Sequence, residues 1–278
     1  RTVGTHGSCV LIVHTATSTA MNNRTILIIG AGAMGSAIAL GLARAGRPVC
    51  VCNRSEGRLA KFAGIEHITT TTDLHEALAA APALIILALP FEPLKATLPR
   101  LRDFAPDSAA IASLSPFTSL EMLAEVLPGR PVLRIMPNIG ITRGESMTFV
   151  CAPDSAASAA SEVVSLFRSM GDAALIPECE MGAVTALASC GIAYALRYIR
   201  ASMQAGVTMG LEPADACRYT LQTLRGACAL LADGHSHPEA EIDKVCTPGG
   251  LTVKGVDTLD FEGFSAALIK AVLASYKP

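Results

Sequence analysis

The stretch "TILIIGAGAMG", residues 25–35, decides how this chain is read. Ile26, Leu27, Ile28 and Ile29 form an unbroken apolar run, the pattern of a strand buried on both faces. Gly30, Gly32 and Gly35 follow at G-x-G-x-x-G spacing. Met34, Ile38, Leu42 and Ala45 then recur at helical spacing until Gly46 stops the pattern. A glycine turn between a buried strand and a helix suits a dinucleotide. The first glycine permits the tight turn, the second lets a pyrophosphate approach the backbone, and the third lets helix and strand pack closely. The helix start attracts the phosphates. Gly30, Gly32, Ala33, Met34 and Gly35 are therefore the first cofactor-site candidates.

Outward from this turn, strand and helix patterns alternate. "PVCVCN" reads as a second strand, and residues 83–90, 109–115 and 130–137 as further buried strands. Helical patterns fall near 72–80, 91–102 and 121–127. Such alternation implies right-handed crossovers and a mostly parallel, Rossmann-like α/β sheet. Residues 173–177 are the last strand the pattern offers. Beyond them the chain reads as helical, first over 181–205, where Val184, Leu187, Ile192, Leu196, Ile199 and Met203 make a broad apolar surface. Such a helix is expected to be buried on more than one side. Pro213 opens the next helix, and further helices are expected over 238–246, 251–259 and 262–275. The division expected is a Rossmann domain over 21–178 and an all-helical domain over 179–278 that dimerises to cover its first helix.

Composition narrows the partners. The formal net charge is -2, which supplies no electrostatic reason for nucleic acid or an acidic membrane. No unbroken apolar stretch reaches the ~18 residues of a membrane span. Nine cysteines lack CxxC or zinc-type spacing with histidine, so no metal site is expected. Cys50 and Cys52, two apart, should share one strand face as buried thiols of a reducing, cytoplasmic compartment. Residues 1–20 read as a leader or non-native extension, with Met21 as the native start.

The end of the second strand distinguishes the cofactors. NAD-binding chains carry an acidic residue there for the ribose 2′-OH, whereas this chain has Asn53-Arg54-Ser55. A guanidinium flanked by an amide and a hydroxyl suits a 2′-phosphate, so NADPH (NADP+) is favoured over NADH. At the other end, "TPGGLT", residues 247–252, reads as a helix opening whose amide N–H groups could take an anion. An ordinary helix-opening turn has the same local pattern.

Several separated motifs in order resemble the pyrroline-5-carboxylate reductase family. They are the GAGAMG turn, "RIMPNIGITRGESMT" (134–148), "AGVTMGL", "QTLRGACALL" and "HPEAEIDKVCTPGGLTVKGVDTLDFEGF" (237–264). The resemblance runs from about Arg24 to Tyr276, nearly the whole chain. It implies a dinucleotide domain, a helical dimerisation domain and NADPH-dependent reduction of 1-pyrroline-5-carboxylate to proline. It also implies that Thr247, Gly249, Gly250, Leu251 and Thr252 bind the substrate, with Thr252 as hydrogen-bond partner or proton donor to the ring nitrogen. Ala88, Leu89, Pro90 and Asn138 are the implied cofactor neighbours beyond the glycine turn. The chain departs from the family at Leu89-Pro90, where Val-Lys-Pro is usual, and at Ser115-Pro116-Phe117, where Ala-Ala-Gly is usual. It departs again at Asn138-Ile139-Gly140, for Asn-Thr-Pro, and at Ala188-Ser189-Cys190-Gly191-Ile192, for the Ser-Gly-Ser-Gly-Pro run. These departures fall around the nicotinamide and the substrate. A reductase of a different cyclic imine acid and a non-catalytic NADP-binding protein are therefore the alternative expectations. His237 matches a family histidine of structural type, and His235 is a lesser substrate candidate.

Overall fold

The computed structural model describes residues 25–276. The expected leader and the start at Met21 lie outside them. In chain order the elements are β1 (Ile26–Ile29), α1 (Ala33–Arg44), β2 (Val49–Cys52), β3 (Ile68–Thr71), α2 (Leu74–Ala79), β4 (Leu84–Leu87), α3 (Phe91–Phe104), β5 (Ala110–Ser113), α4 (Leu120–Val126) and β6 (Val132–Met136). There follow β7 (Ser146–Cys151), α5 (Ala157–Arg168), β8 (Gly171–Leu175), α6 (Met181–Val184), α7 (Gly191–Thr208), α8 (Pro213–Leu231), α9 (Pro238–Val245), α10 (Leu251–Phe261) and α11 (Phe264–Ala274).

The chain forms two compact units. One runs up to Ile135 and resumes over Ala152–Met170; the other joins Met136–Cys151 to the chain from Gly171 onward. The first unit is a parallel sheet in the order β3-β2-β1-β4-β5-β6. Ile26 pairs with both Val49 and Leu84, so β1 is flanked on each side. Every residue of β1, β2, β4 and β5 is buried, as the unbroken apolar runs require. One face packs Leu27, Ile29, Cys50, Cys52, Ile85 and Leu87 against Leu94, Leu98 and Leu101 of α3. The two cysteines do share a face, and burial pushes the Cys52 thiol up to about 11 from 9.0, with Cys50 beside it adding to the shift.

Two strands escape the sequence pattern. The β3 run "ITTT" ends the sheet and is only half-buried, so it carries no apolar run. In the second unit, β7 pairs in parallel with β8, Ser146 opposite Gly171. Ser146 and Thr148 interrupt the apolar pattern of β7, yet both are buried and their hydroxyls pair at 3.0 Å. The pairing begins at Gly171 because its φ is +135°, and a β-carbon there would lie 2.2 Å from the Ser146 carbonyl oxygen. The last strand is thus Gly171–Leu175, two residues earlier than expected, and it belongs with the helices.

The expected helix over 181–205 is interrupted. Thr185–Ser189 form a π-turn between α6 and α7, with Cys190 N donating to Thr185 O at 2.9 Å. Nor is the helix buried within one chain: Leu187 and Leu196 are 66% and 58% exposed. Gly206 on α7 lets α8 approach, since a β-carbon there would meet the Ala216 methyl at 3.0 Å. Otherwise α7 and α8 bury little, and α9, α10 and α11 contain no buried residue. Tyr194 ties α7 to the C-terminal helix by donating to the Ala271 carbonyl at 3.1 Å. The run Glu178–Thr208 also contains an 18-residue stretch of mean hydropathy 1.4, long and apolar enough to cross a membrane. Counting unbroken apolar stretches missed it, because polar residues punctuate the run.

Candidate functional site: a glycine cradle and a second helix start

The glycine turn of the first unit is built by three strand ends. Gly30, at φ +112°, donates its N–H to Cys52 O at 2.8 Å. Ala88 N donates to Ile29 O at 2.9 Å. A β-carbon on Gly30 would lie 2.3 Å from Ala88 O, and one on Gly35 would lie 2.0 Å from Gly30 O. Both glycines are demanded by the protein's own packing. Gly32 differs: its φ of -72° suits any residue, and a β-carbon there meets nothing within 4 Å. The space it leaves lies at the first turn of α1, where a pyrophosphate could approach the backbone.

Helix α1 presents what such a group needs. Its first internal bond runs from Ser36 N to Gly32 O at 3.0 Å, leaving the amides of Ala33, Met34 and Gly35 ahead of it. The cap carries no side-chain hydrogen bond and the first turn no acid. Ser36 Oγ, one residue on, is buried without a hydrogen-bond partner. The residues present therefore fit a dinucleotide.

The end of β2 is arranged around the same turn. Asn53 accepts from Ala31 N through Oδ1 at 3.0 Å and donates from Nδ2 to Ser55 O at 2.9 Å. Arg54 and Ser55 are exposed beyond it. The sequence reading missed Lys61, which donates from Nζ to Ala31 O at 3.0 Å. The available signal was the i, i+4, i+7 spacing of Arg54, Arg58 and Lys61. At the ends of β4 and β5, Leu89 and Pro90 precede an edge-to-face pair of Phe91 and Phe117, 6.2 Å between centroids. Ser113 Oγ and Thr118 Oγ1 pair at 2.7 Å beneath that turn. The departures from the family at 89–90 and 115–117 thus put Leu89 where its pattern has Lys and the Phe117 ring, paired with Phe91, where it has Gly.

Asn138 stands in the second unit and its side chain is engaged within it. Oδ1 accepts from Gly140 N at 3.0 Å and Nδ2 donates to Ala188 O, on the π-turn, at 3.3 Å. The residue is buried at 6% exposure, so its geometry is that of a brace for the π-turn. The glycine at 140, where the family has proline, supplies the N–H that a proline lacks. Two departures from the family pattern, at 138–140 and 188–192, are therefore one linked structure. Widened turns of this kind are frequent at functional sites.

Residues 247–252 form the second helix start. Gly250 N donates to Thr247 O at 2.9 Å, Gly249 has φ +67°, and Gly250 caps α10 with no side-chain bond and no acid in the first turn. A β-carbon on Gly250 would lie 2.4 Å from Thr247 Oγ1. The turn's own packing therefore favours glycine at 250 with or without a ligand. Leu251 and Thr252 are exposed in the first helical turn. His237 caps α9, accepting from Glu239 N through Nδ1 at 3.3 Å. The exposed His235 caps nothing; its backbone donates to Asp233. Nearby, Lys244 at 2.6 Å and the Ser236 hydroxyl hold the Glu241 carboxyl below its ordinary pKa. Among the described residues no cluster of His, Cys, Asp and Glu could hold a metal.

Comparison with known proteins gives a consistent outcome. Residues 178–278 match the family model for pyrroline-5-carboxylate reductase dimerisation, and residues 25–114 that for NADP oxidoreductase, coenzyme F420-dependent. Pyrroline-5-carboxylate reductase 2 of Dictyostelium discoideum is 31% identical, covering 91% of this chain and 91% of its own. The 1-pyrroline-5-carboxylate reductase structure from Streptococcus pyogenes aligns with TM-score 0.80 at 27% identity, over 91% of this chain and 97% of that one. The Plasmodium falciparum pyrroline carboxylate reductase, solved with NADP bound, has TM-score 0.82 over 92% and 96%. At 24% identity that likeness is one of fold.

Proposed function

The chain belongs to the pyrroline-5-carboxylate reductase family, and from that premise we propose that it reduces 1-pyrroline-5-carboxylate to proline with NADPH. The observation that carries this reading is that α1 and α10 each begin on a glycine cap, Gly32 and Gly250, just after a glycine at positive φ, with no side-chain cap and no acid in the first turn. One follows a glycine cradle with open space at Gly32; the other follows Pro248 and Gly249. A dinucleotide phosphate suits the first and a substrate carboxylate the second.

The first unit holds the cofactor through Gly30, Gly32, Ala33, Met34 and Gly35, with Asn53, Arg54 and Ser55 toward the adenosine ribose. Ala88, Leu89 and Pro90 lie at the end of β4. When bound, NADPH supplies the hydride that the imine carbon accepts. The second unit does the rest with backbone and hydroxyls. The amides at Leu251 and Thr252 orient the carboxylate, with Gly249 and Gly250 shaping the turn and the Thr247 hydroxyl beside it. The Thr252 hydroxyl hydrogen-bonds the ring nitrogen. A cyclic imine basic enough to arrive protonated needs no buried acid, so positioning and exclusion of water supply most of the acceleration. Asn138 contributes by bracing the π-turn.

The chain associates with itself. Its second unit leaves Met209, Leu251 and Phe261 exposed at 77%, 87% and 89% and matches a dimerisation family. A homodimer, or an oligomer of dimers, gives those helices the core they lack alone. The buried free thiols Cys50, Cys52 and Cys151 suit the reducing cytoplasm.

Cofactor oxidation with a panel of cyclic imine acids tests the proposal. Five-membered 1-pyrroline-5-carboxylate with NADPH should give the highest kcat/KM. Faster turnover of a six-membered ring acid would favour the other reductase reading. Tight NADPH binding with no turnover of any imine would favour a non-catalytic member.

A further inference from the structure

Lys61 is held in place with no acidic partner. It lies in the short 3-10 turn Ala60–Phe62, eight residues beyond the end of β2. Its ammonium reaches back 30 residues to donate to the Ala31 carbonyl at 3.0 Å, inside the glycine turn. The same nitrogen sits 5.4 Å from the ring centroid of Phe62, which is 2% exposed. Two anchors, one polar and one aromatic, thus fix a long flexible side chain. Among the described residues, no carboxylate lies within ion-pair distance of Arg54, Arg58 or Lys61.

Ala31 is gripped on both of its backbone groups from the β2 side. Asn53 Oδ1 takes its N–H and Lys61 Nζ donates to its carbonyl. Holding a carbonyl requires only a neutral donor, and an aromatic ring does not neutralise an ammonium, so the net positive charge stays available to an anion. An ammonium has three donors, and Ala31 uses one. The place it occupies, between the glycine turn and the segment after β2, is where a Rossmann fold receives the adenosine ribose.

From this arrangement we infer that Lys61 is a specificity-determining residue: a second cation, with Arg54, for the 2′-phosphate of the cofactor. The inference rests on the NADPH reading and adds to it. Arg54 supplies an exposed, adaptable guanidinium. Lys61 supplies a charge already positioned before the cofactor arrives, so little ordering entropy is lost on binding. Because Asn53 and Lys61 close on the same residue, recognition of the phosphate is tied directly to the shape of the glycine turn.

Calorimetric titration of the full chain with adenosine 2′,5′-bisphosphate and with 5′-AMP tests this apart from turnover. Wild-type protein should prefer the bisphosphate. Lys61→Met, which keeps the aliphatic stem, should weaken the bisphosphate by about tenfold or more, as expected for one charge-assisted hydrogen bond. It should leave 5′-AMP within about twofold, and the loss should shrink with added salt, since the lost contact is ionic. Lys61→Arg should recover most of the bisphosphate affinity. Equal loss of both ligands in Lys61→Met would mean that Lys61 only holds the turn, and the inference is overturned. Unchanged bisphosphate affinity would overturn it too, while the NADPH reading stood. A wild type that does not distinguish the two ligands would overturn both.

Discussion

Gly32 separates the two roles that glycine plays in this turn. Changing it to alanine adds a β-carbon that meets no atom within 4 Å, at a φ of -72° that alanine adopts freely. Reduced chain entropy in the unfolded state should stabilise the variant by about 0.4–1 kcal/mol. Gly32 is also the N-cap of α1, where alanine is poorer than glycine by roughly 0.5 kcal/mol or more. The two effects nearly cancel, so the melting temperature without cofactor should barely move. Dinucleotide binding should suffer, because the methyl stands where the pyrophosphate must reach the amides of α1. Losing one or two hydrogen bonds to a charged group costs about 1.5–3 kcal/mol each, or roughly ten- to hundredfold in Kd per bond. Gly35→Ala should behave in the opposite order. Its methyl would lie 2.0 Å from Gly30 O and 2.8 Å from the Ala88 β-carbon. Overpacking of that kind costs about 1–3 kcal/mol or more before any ligand is added. Denaturation curves of the ligand-free variants, with NADPH fluorescence titrations alongside, read both quantities. If Gly32→Ala binds NADPH as tightly as wild type, the open space at Gly32 is not a phosphate approach and the cradle argument fails.

Other expectations follow from the remaining elements. Gly250→Val should abolish imine reduction while NADPH affinity survives, because its side chain would strike Thr247 Oγ1, 2.4 Å from the β-carbon. Thr252→Ala should lose only about ten- to hundredfold in kcat/KM, or ~1–3 kcal/mol. Wild-type-like kinetics in both would locate the substrate elsewhere. Light scattering at micromolar concentration should give at least a dimer, and Leu196→Lys should shift it toward monomer. A monomeric wild type would refute the assignment of the exposed helical faces to self-association. The Cys52 thiol, raised from 9.0 to about 11, makes the fold sensitive to alkali. Its stabilisation is complete below pH 9 and is lost as pH rises through 11, in total about 2–3 kcal/mol. Urea midpoints should fall over that window in wild type and more gently in Cys52→Ala. Equal slopes would mean that the thiol is not the responsible group.

Much of the fold was legible in local sequence because its determinants are local. A buried parallel strand must be apolar throughout, and a turn at φ +112° must be glycine. These constraints act within the eleven residues from Thr25 to Gly35, so the cofactor end could be read directly. The helix start at Pro248-Gly249-Gly250 was legible for the same reason. What escaped depends on groups distant in sequence. The strands β3 and β7 carry threonine and serine whose pairing depends on a neighbouring strand or hydroxyl. The π-turn at Thr185–Ser189 is held by Asn138, 50 residues from Ala188. Lys61 meets Ala31 across 30 residues, a reach set by the path of the chain after β2. The apolar faces of α7 to α11 lack a core within one chain. Sequence periodicity reports that a face must be covered, because water penalises exposed hydrocarbon wherever it lies; what covers it depends on which surfaces meet in three dimensions.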